Sequence, residues 1–509
     1  MDKQSRTSNT MRNLKVGMIM QIIGYILSFV NRTVFVRVVG MTYLGVNGLF
    51  TNILMILSFT EAGAEAAFSS LLYRPLRDGR EKVVAMIMNA FRKVFMIIGS
   101  VVAVIGVALI PFLDFLVSDE AKQVDNIRLV YIIFLTGSVV NYFFTYKISL
   151  IKADQKTYIV SIYDEVIAIC QYILQIVVVA VWHNFVAYVA VQIGLQIIRN
   201  IILSRKSSKM YPYLDKSAPP LPPKARSAVF RRIRGGLWMH TGFIIANGTD
   251  SIVITKFLGL ETNGRYENYL MITAIVGCLL KIIFDSVAAS VGDLIAEGNR
   301  KKTYRYFRAI TFSSFAMFSV AAVGMFVMFN PFLKLWIDKP DVVFPTGEVA
   351  LIVTVFLVGS YGIKRPLALF KNASGLFYND RYFALLEGIV NLTVSLALVK
   401  SIGFAGVMIG TVVSSMITIC SGAYVLYKHL FKRPLFAFFF RLIEYSLFTA
   451  ACAALLSFGY SFIGCESWIA FILEGAGCVL VTGAAFVIVF GRRADFRFLV
   501  DFAKKRLGR

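Results

Sequence analysis

The side chains in this sequence with chemistry to offer are ionisable groups set inside long apolar runs, where a charge costs a few kcal/mol and usually faces a cavity or a partner. Arg32 sits in NRTVFVRVVG (31–40), about 8 residues or roughly 12 Å from the far end of its run. That is too deep for easy snorkelling, so its guanidinium either faces a hydrated cavity, where it attracts anionic groups, or pairs with a carboxylate. Arg37 and Lys256 lie nearer the ends of their runs and suit an outer vestibule or lipid headgroups. Lys364 and Arg365 precede Pro366, whose ring frees a backbone carbonyl and bends a helix; the two cations can hold an anionic ligand or anchor the inner leaflet. Glu61 and Glu65 are four apart and share a helix face; their mutual repulsion suits a proton or sodium site, or they pair with inner-side Arg or Lys. Asp250 is buried in its run and aligns with Asn31, which makes it a cavity group or one end of an interhelical hydrogen bond. Lys281 and Asp285 form an i, i+4 pair, cavity-facing or structural. Asp164 and Glu165 are adjacent and point about 100° apart, so at most one of them faces a cavity. Glu387, Glu444 and Glu474 are single acids without an assignable role.

No nucleophile, metal or nucleotide motif accompanies these charges: the sequence has no HExxH, Walker loop, CxxC pair or strand-borne GxGxxG. His183, His240 and His429 are scattered, and the 6 cysteines lie mostly within apolar runs as small buried residues. A membrane glycosyltransferase, polymerase or ligase needs a sizeable loop with catalytic acids. The longest outer loop, roughly 333–346, offers only Asp338 and Asp341. We therefore expect no catalytic residue and no metal site.

The elements that carry the charges follow from composition. Of the residues, 58% are hydrophobic and 16% charged, outside the soluble range of roughly 45–50% and 25%. Runs such as 96–112 and 469–490 can cross a bilayer, which takes about 20 helical residues. About fourteen spans are expected: 16–40, 44–68, 93–117, 127–150, 158–181, 184–204, 236–258, 266–292, 308–332, 347–370, 382–400, 403–427, 441–462 and 467–490. Of 53 Lys and Arg, about 43 fall at one side of this arrangement. That places both termini in the cytoplasm and makes the net charge of +24 mainly a topology signal, with some attraction for anionic lipid, and not a sign of nucleic-acid binding.

The expected fold is all-α and integral to the membrane, in two pseudo-symmetric six-helix lobes. The lobes are 1–204 and 236–430, joined by a basic, proline-rich linker at 205–235 and followed by a further helix pair with a basic tail at 431–509. At an offset of 219, Gly40 aligns with Gly259, Gly45 with Gly264 and Arg37 with Lys256; FR recurs at 91–92 and 307–308, and PFL at 111–113 and 331–333. Both halves start on the same side, so the repeat is parallel, an arrangement that in transporters puts the substrate path between lobes that rock.

The stretches YLGVNGLFTNILMILSFTEAGAEAAF (43–68), LYRPL (72–76), LIKADQKTYIVS (150–161) and LALFKNASGLFYNDRYFALLEGIVNLTVSLALVKSIGFAGVMIGT (367–411), on a six-linker-six-plus-two layout, resemble the Wzx-type capsule and O-antigen flippases. These form the polysaccharide-transporter branch of the multidrug/oligosaccharidyl-lipid/polysaccharide exporter superfamily. The resemblance covers nearly the whole chain. It implies a V-shaped MATE-like fold and transfer of an undecaprenyl-pyrophosphate-linked oligosaccharide from inner to outer leaflet by alternating access. Arg32, Arg37, Lys256, Lys281, Lys364 and Arg365 would then be cavity cations. Glu61, Glu65, Asp250, Asp285 and Asp164 would be ion-coupling candidates. The alternatives are a cell-wall lipid-precursor flippase, or a cation-coupled multidrug exporter, for which an acidic cavity and twelve helices are usual. The chain is expected to be a monomer in the bacterial plasma membrane with no cofactor beyond a coupling H+ or Na+. Its expected contacts are membrane lipid, the lipid-linked glycan and the polysaccharide polymerase or assembly machinery.

Overall fold

The computed structural model describes residues 23–113, 124, 126–214, 219–223, 227, 248–337, 342–359, 362–376, 379, 381–462, 465 and 467–507. Every regular element among them is helical. In chain order these are α1 (23–38), α2 (Met41–Leu57), α3 (Phe59–Arg77), α4 (Glu81–Leu109), α5 (Ile127–Ala153), α6 (Thr157–Trp182), α7 (Phe185–Met210) and α8 (248–258). They continue as α9 (Leu260–Ser286), α10 (Ala288–Ala296), α11 (Arg300–Ile337), α12 (Thr346–Val358), α13 (Lys364–Ala373) and α14 (Arg381–Ile402). The last are α15 (Phe404–Val425), α16 (Phe436–Tyr460), α17 (Trp468–Phe490) and α18 (Ala494–Leu507). Ten helices among the described residues are long and apolar enough to cross a bilayer, and the protein is a multi-pass membrane protein. Helices are the expected solution, because a lipid-embedded backbone can bond only to itself. The described prolines at 219, 220 and 222 lie in no regular element; most of the remaining linker, residues 16–22 and 236–247 of two expected spans, and Asp338 and Asp341 lie outside the described residues.

Three expected spans are each two helices. The second breaks at Ser58, the eighth at Val287, and the tenth between Val358 and Lys364. The tenth corrects the expected proline bend. Pro366 stands in the first turn of α13, where its missing N–H removes no helical bond, and the break precedes it. There the Ile363 amide donates to Leu357 O at 2.9 Å, and a Cβ at Gly362 would strike the Leu357 carbonyl.

The chain divides into two compact units, Met1–Gly264 and Arg265–Arg509. In the first, Ala64, Phe68 and Leu72 form an i, i+4, i+8 ridge on α3 that packs with α4 and α5. Phe68 stacks on Phe91 with centroids 4.3 Å apart, and Phe91 meets Phe95 edge-on at 4.7 Å. This aromatic column fixes the α3–α5 register and turns the flank carrying Glu61 and Glu65 towards α5. In the second unit α11 is the axis. Phe312 packs on Phe486 at 5.1 Å and Phe315 on Tyr445 at 4.8 Å, which seats α16 and α17 on α11. Helices α14 and α15 form a close hairpin: side chains at Gly406 and Gly410 would collide with Leu398 and Ser395, the small-residue packing that brings membrane helices together.

The positions that anchor the sequence repeat behave alike. Gly40 has φ +105° and Gly259 φ +94°, each in the turn between two helices, a backbone essentially closed to other residues. Within the first unit, a Cβ on Gly45 would strike the Leu260 carbonyl and one on Gly264 the Met41 carbonyl; these contacts exchange under the same offset of 219. Phe91 and Phe307 are both fully buried, as are Leu113 and Leu333.

Candidate functional site

The α3–α5 register assembles a polar network in the first unit. Glu61 accepts from Asn141 Nδ2 at 3.4 Å and Thr145 Oγ1 at 3.3 Å. One turn on, Glu65 accepts from Ser149 Oγ at 2.8 Å and Lys152 Nζ at 3.4 Å. The acids are spaced by four, and so are Asn141, Thr145 and Ser149, so two parallel ladders meet rung to rung. Asn141 continues the network, its Oδ1 accepting from Asn200 Nδ2 at 3.1 Å. Asn200 Oδ1 accepts from Arg199 at 2.9 Å, and Arg199 Nε donates to Asp164 at 2.6 Å. Three expected ion-coupling acids, Glu61, Glu65 and Asp164, thus belong to one helix cluster of α3, α5, α6 and α7. Beside Glu61 stands the Tyr142 hydroxyl, fully buried, within electrostatic reach of Glu61 and Ser58 but without hydrogen-bond geometry to either. Such a set can hold a proton or a small cation among oxygen ligands.

A second network surrounds Arg32. Asn31 Nδ2 donates to Gln175 Oε1 at 3.1 Å and to Tyr188 Oη at 3.0 Å, and Gln171 donates to Gln175 at 3.3 Å. Arg32 is half-buried next to this joint of α1, α6 and α7, close enough to Tyr188 to act on its phenol through charge. Asp250, the repeat counterpart of Asn31, is as deeply buried, at 5% exposure each. Its neighbour Ser251 accepts from Asn52 Nδ2 at 3.0 Å. Lys256 is half-buried; Arg37 and Lys281 are exposed, and the Asp285 side chain lies outside those described.

The Lys364 ammonium is ion-paired with Glu387 on α14 and donates to Ser415 Oγ on α15 at 3.2 Å. Glu387 therefore has a role that its isolated position in the sequence did not reveal. Glu444 is likewise paired with Arg493, while Arg365 is half-buried. Asn141, Asn200, Arg199, Gln175 and Glu387 are the site residues that sequence reasoning missed. The four-residue spacing of Asn141, Thr145 and Ser149, matching that of Glu61 and Glu65, is the signal that could have found the first.

Comparison with known proteins follows the fold. A lipid II flippase, MurJ, in an inward closed conformation is similar with TM-score 0.67 at 13% identity, over 94% of this chain and 100% of that one. An inward-facing multidrug resistance MATE family transporter of the MOP superfamily gives 0.61 at 15% identity, over 78% and 92%. A Vibrio cholerae MATE transporter gives 0.55 at 14%, over 85% and 99%. These likenesses show a shared MurJ- and MATE-like fold. No curated protein matches the sequence. The family described as polysaccharide biosynthesis protein matches residues 10–289, more than half of the 509 residues, and the chain belongs to that family.

Proposed function

We propose that this protein is a flippase that moves an undecaprenyl-pyrophosphate-linked oligosaccharide from the inner to the outer leaflet of a bacterial plasma membrane, by alternating access, for surface polysaccharide. The observation that carries this reading is the polysaccharide-biosynthesis family match on a chain with a lipid-flippase-like fold. The side chains support it. Arg32 beside the Asn31–Gln175–Tyr188 joint is a half-buried cation suited to a diphosphate, with Arg37, Lys256, Lys281 and Arg365 as further positive positions. Lys364, paired with Glu387, is a further cation of this set. The Glu61 network is the coupling site, taking a proton or a sodium ion in one conformation and releasing it in the other; differential binding to two states is what drives such a cycle. Membrane lipid and the polysaccharide polymerase are the expected contacts of a monomer.

The test is reconstitution in vesicles with a labelled undecaprenyl-pyrophosphate oligosaccharide, scored by access of an external glycan-oxidising reagent. Protein-dependent exposure of the label is expected, with Arg32→Ala lowering the rate about tenfold or more, as for a lost charged hydrogen bond. Vesicles with and without protein exposing the label equally would sink the flippase reading. Glu61→Gln should make transport indifferent to imposed proton and sodium gradients, and a variant that still follows those gradients removes Glu61 from coupling.

A further inference from the structure

The recurrence of FR at 91–92 and 307–308 places one arginine at the same point of each half, and the two have different surroundings. Phe307 is buried and Arg308 donates to Asp495 at 2.7 Å, with Arg441 4.0 Å from the same carboxylate. Asp495 is nine-tenths buried and comes from α18, which follows the final helix pair and has no counterpart in the first half. The cavity beside Arg308 has only about 30 Å³. In that half the site is closed and its anion is built in.

Phe91 is buried in the same way, but Arg92 makes no hydrogen bond or ion pair among the described residues. It is half-buried and lines a cavity of about 240 Å³ where α4 meets the ends of α5 and α7. On that measure one water needs about 10–15 Å³, so the space admits a phosphate group with several waters. Around it stand Asn89, Tyr146, Lys147, Ser208 and Tyr211, and among the described residues no carboxylate lines it. Lys147 Nζ is held at this wall by Ser208 Oγ at 2.8 Å. The Tyr211 hydroxyl is turned away, donating to Asp154 at 2.8 Å; burial and that carboxylate raise its pKa, so it stays a protonated donor there. Two cations, an amide and a hydroxyl lining one cavity match the oxygens of a phosphate, and the arginine fork takes two of them at once.

We infer that this cavity is a phosphate-group site of the first half, filled from outside by the anion that Asp495 supplies from within in the second. The charge pattern places the cavity at the cytoplasmic ends of its helices, where basic pockets between membrane helices take anionic headgroups. The phosphate belongs to a lipid headgroup or to a soluble or lipid-linked diphosphate. The site is read by binding alone, so its fate is separate from that of the transport reading.

The experiment uses the full chain in nanodiscs and measures the thermal unfolding midpoint, with native mass spectrometry for retained lipid. One arm compares phosphatidylcholine with phosphatidylcholine plus phosphatidylglycerol; the other adds pyrophosphate to phosphatidylcholine discs. We expect a higher midpoint in at least one arm, lost in Arg92→Glu, partly kept in Arg92→Lys, and unchanged in Lys301→Glu, an exposed cation on α11. Affinity for the occupant should fall about tenfold or more without the guanidinium. A response to phosphatidylglycerol alone identifies a headgroup site, and a response to pyrophosphate alone a diphosphate site. A midpoint that neither ligand raises, or that rises equally in Arg92→Glu, overturns the inference. Should Arg92→Glu fail to fold, a folded Arg92→Gln that responds like the parent overturns it equally.

Discussion

A cation on a membrane helix lowers its cost by facing water or by finding a carboxylate, and Lys364 and Arg92 illustrate the two cases. The Lys364 side chain is 18% exposed and that of Glu387 12%, so removing one partner strands the other charge. Lys364→Ala or Glu387→Ala alone should each lower stability by about 3–5 kcal/mol, while Lys364→Met with Glu387→Leu should sit near the parent. Thermal unfolding of the purified variants checks this. Single variants as stable as the parent, with transport lost, would instead make Lys364 a substrate cation. At this scale the sequence was poor about partners and mixed about burial, since Arg37 and Lys281 are exposed. That Glu61 and Glu65 share a face follows from helical geometry and holds. Their union with Asp164 through Arg199, Asn200 and Asn141 depends on how α3, α5, α6 and α7 are set against one another. Phe68, Phe91 and Phe95 seat α3 on α4, but their burial pattern is the same in many helices, so no local spacing reveals the packing.

Helices differ in how clearly their ends are written. The turns at Gly40 and Gly259 are legible because a positive φ demands glycine, and their match at a fixed offset is both the repeat and its cause. Gly40→Ala and Gly259→Ala should each cost about 1–3 kcal/mol, the range for a side chain forced into that backbone region. Gly475→Ala, inside α17 with open space around it, should be neutral or slightly stabilising. Chemical or thermal unfolding of the three variants decides, and equal behaviour of all three would detach the repeat from backbone geometry. The interruptions at Ser58 and Val287 are not legible, since neither break residue is a proline or glycine. Each lies in an apolar run that reads as one span. What separates α2 from α3 is a tertiary fact: the Ser58 hydroxyl sits 3.4 Å from that of Ser138, at the head of the polar ladder that receives Glu61.

On the scale of the whole molecule, run length and loop charge carry most of the fold. Membrane crossing rewards long helices irrespective of partners, so hydropathy sees the spans that packing leaves exposed, and ten described helices satisfy it unaided. The expected total of fourteen and the position of the termini rest on the alternation of basic and non-basic loops, which makes them a statement about sidedness that chemistry can read. With the 6 native cysteines replaced by serine, single cysteines can be placed at Asn184, between α6 and α7, and at Lys432, between α15 and α16, both exposed. The positive-inside rule puts the first outside and the second inside. A membrane-impermeant maleimide should therefore label Asn184→Cys in intact cells at once, and Lys432→Cys only after permeabilisation. A third cysteine at Ser467, exposed before α17, should label from outside, because one further span separates it from Lys432. If Lys432→Cys and Ser467→Cys label from the same side, α16 does not cross, and fourteen spans with both ends in the cytoplasm become impossible. The broken helices leave this count unchanged as long as each pair, interrupted at Ser58, at Val287 or between Val358 and Lys364, delivers the chain to the opposite face. Run length and loop charge thus make a testable statement about topology, whereas no local pattern states the location of the polar networks.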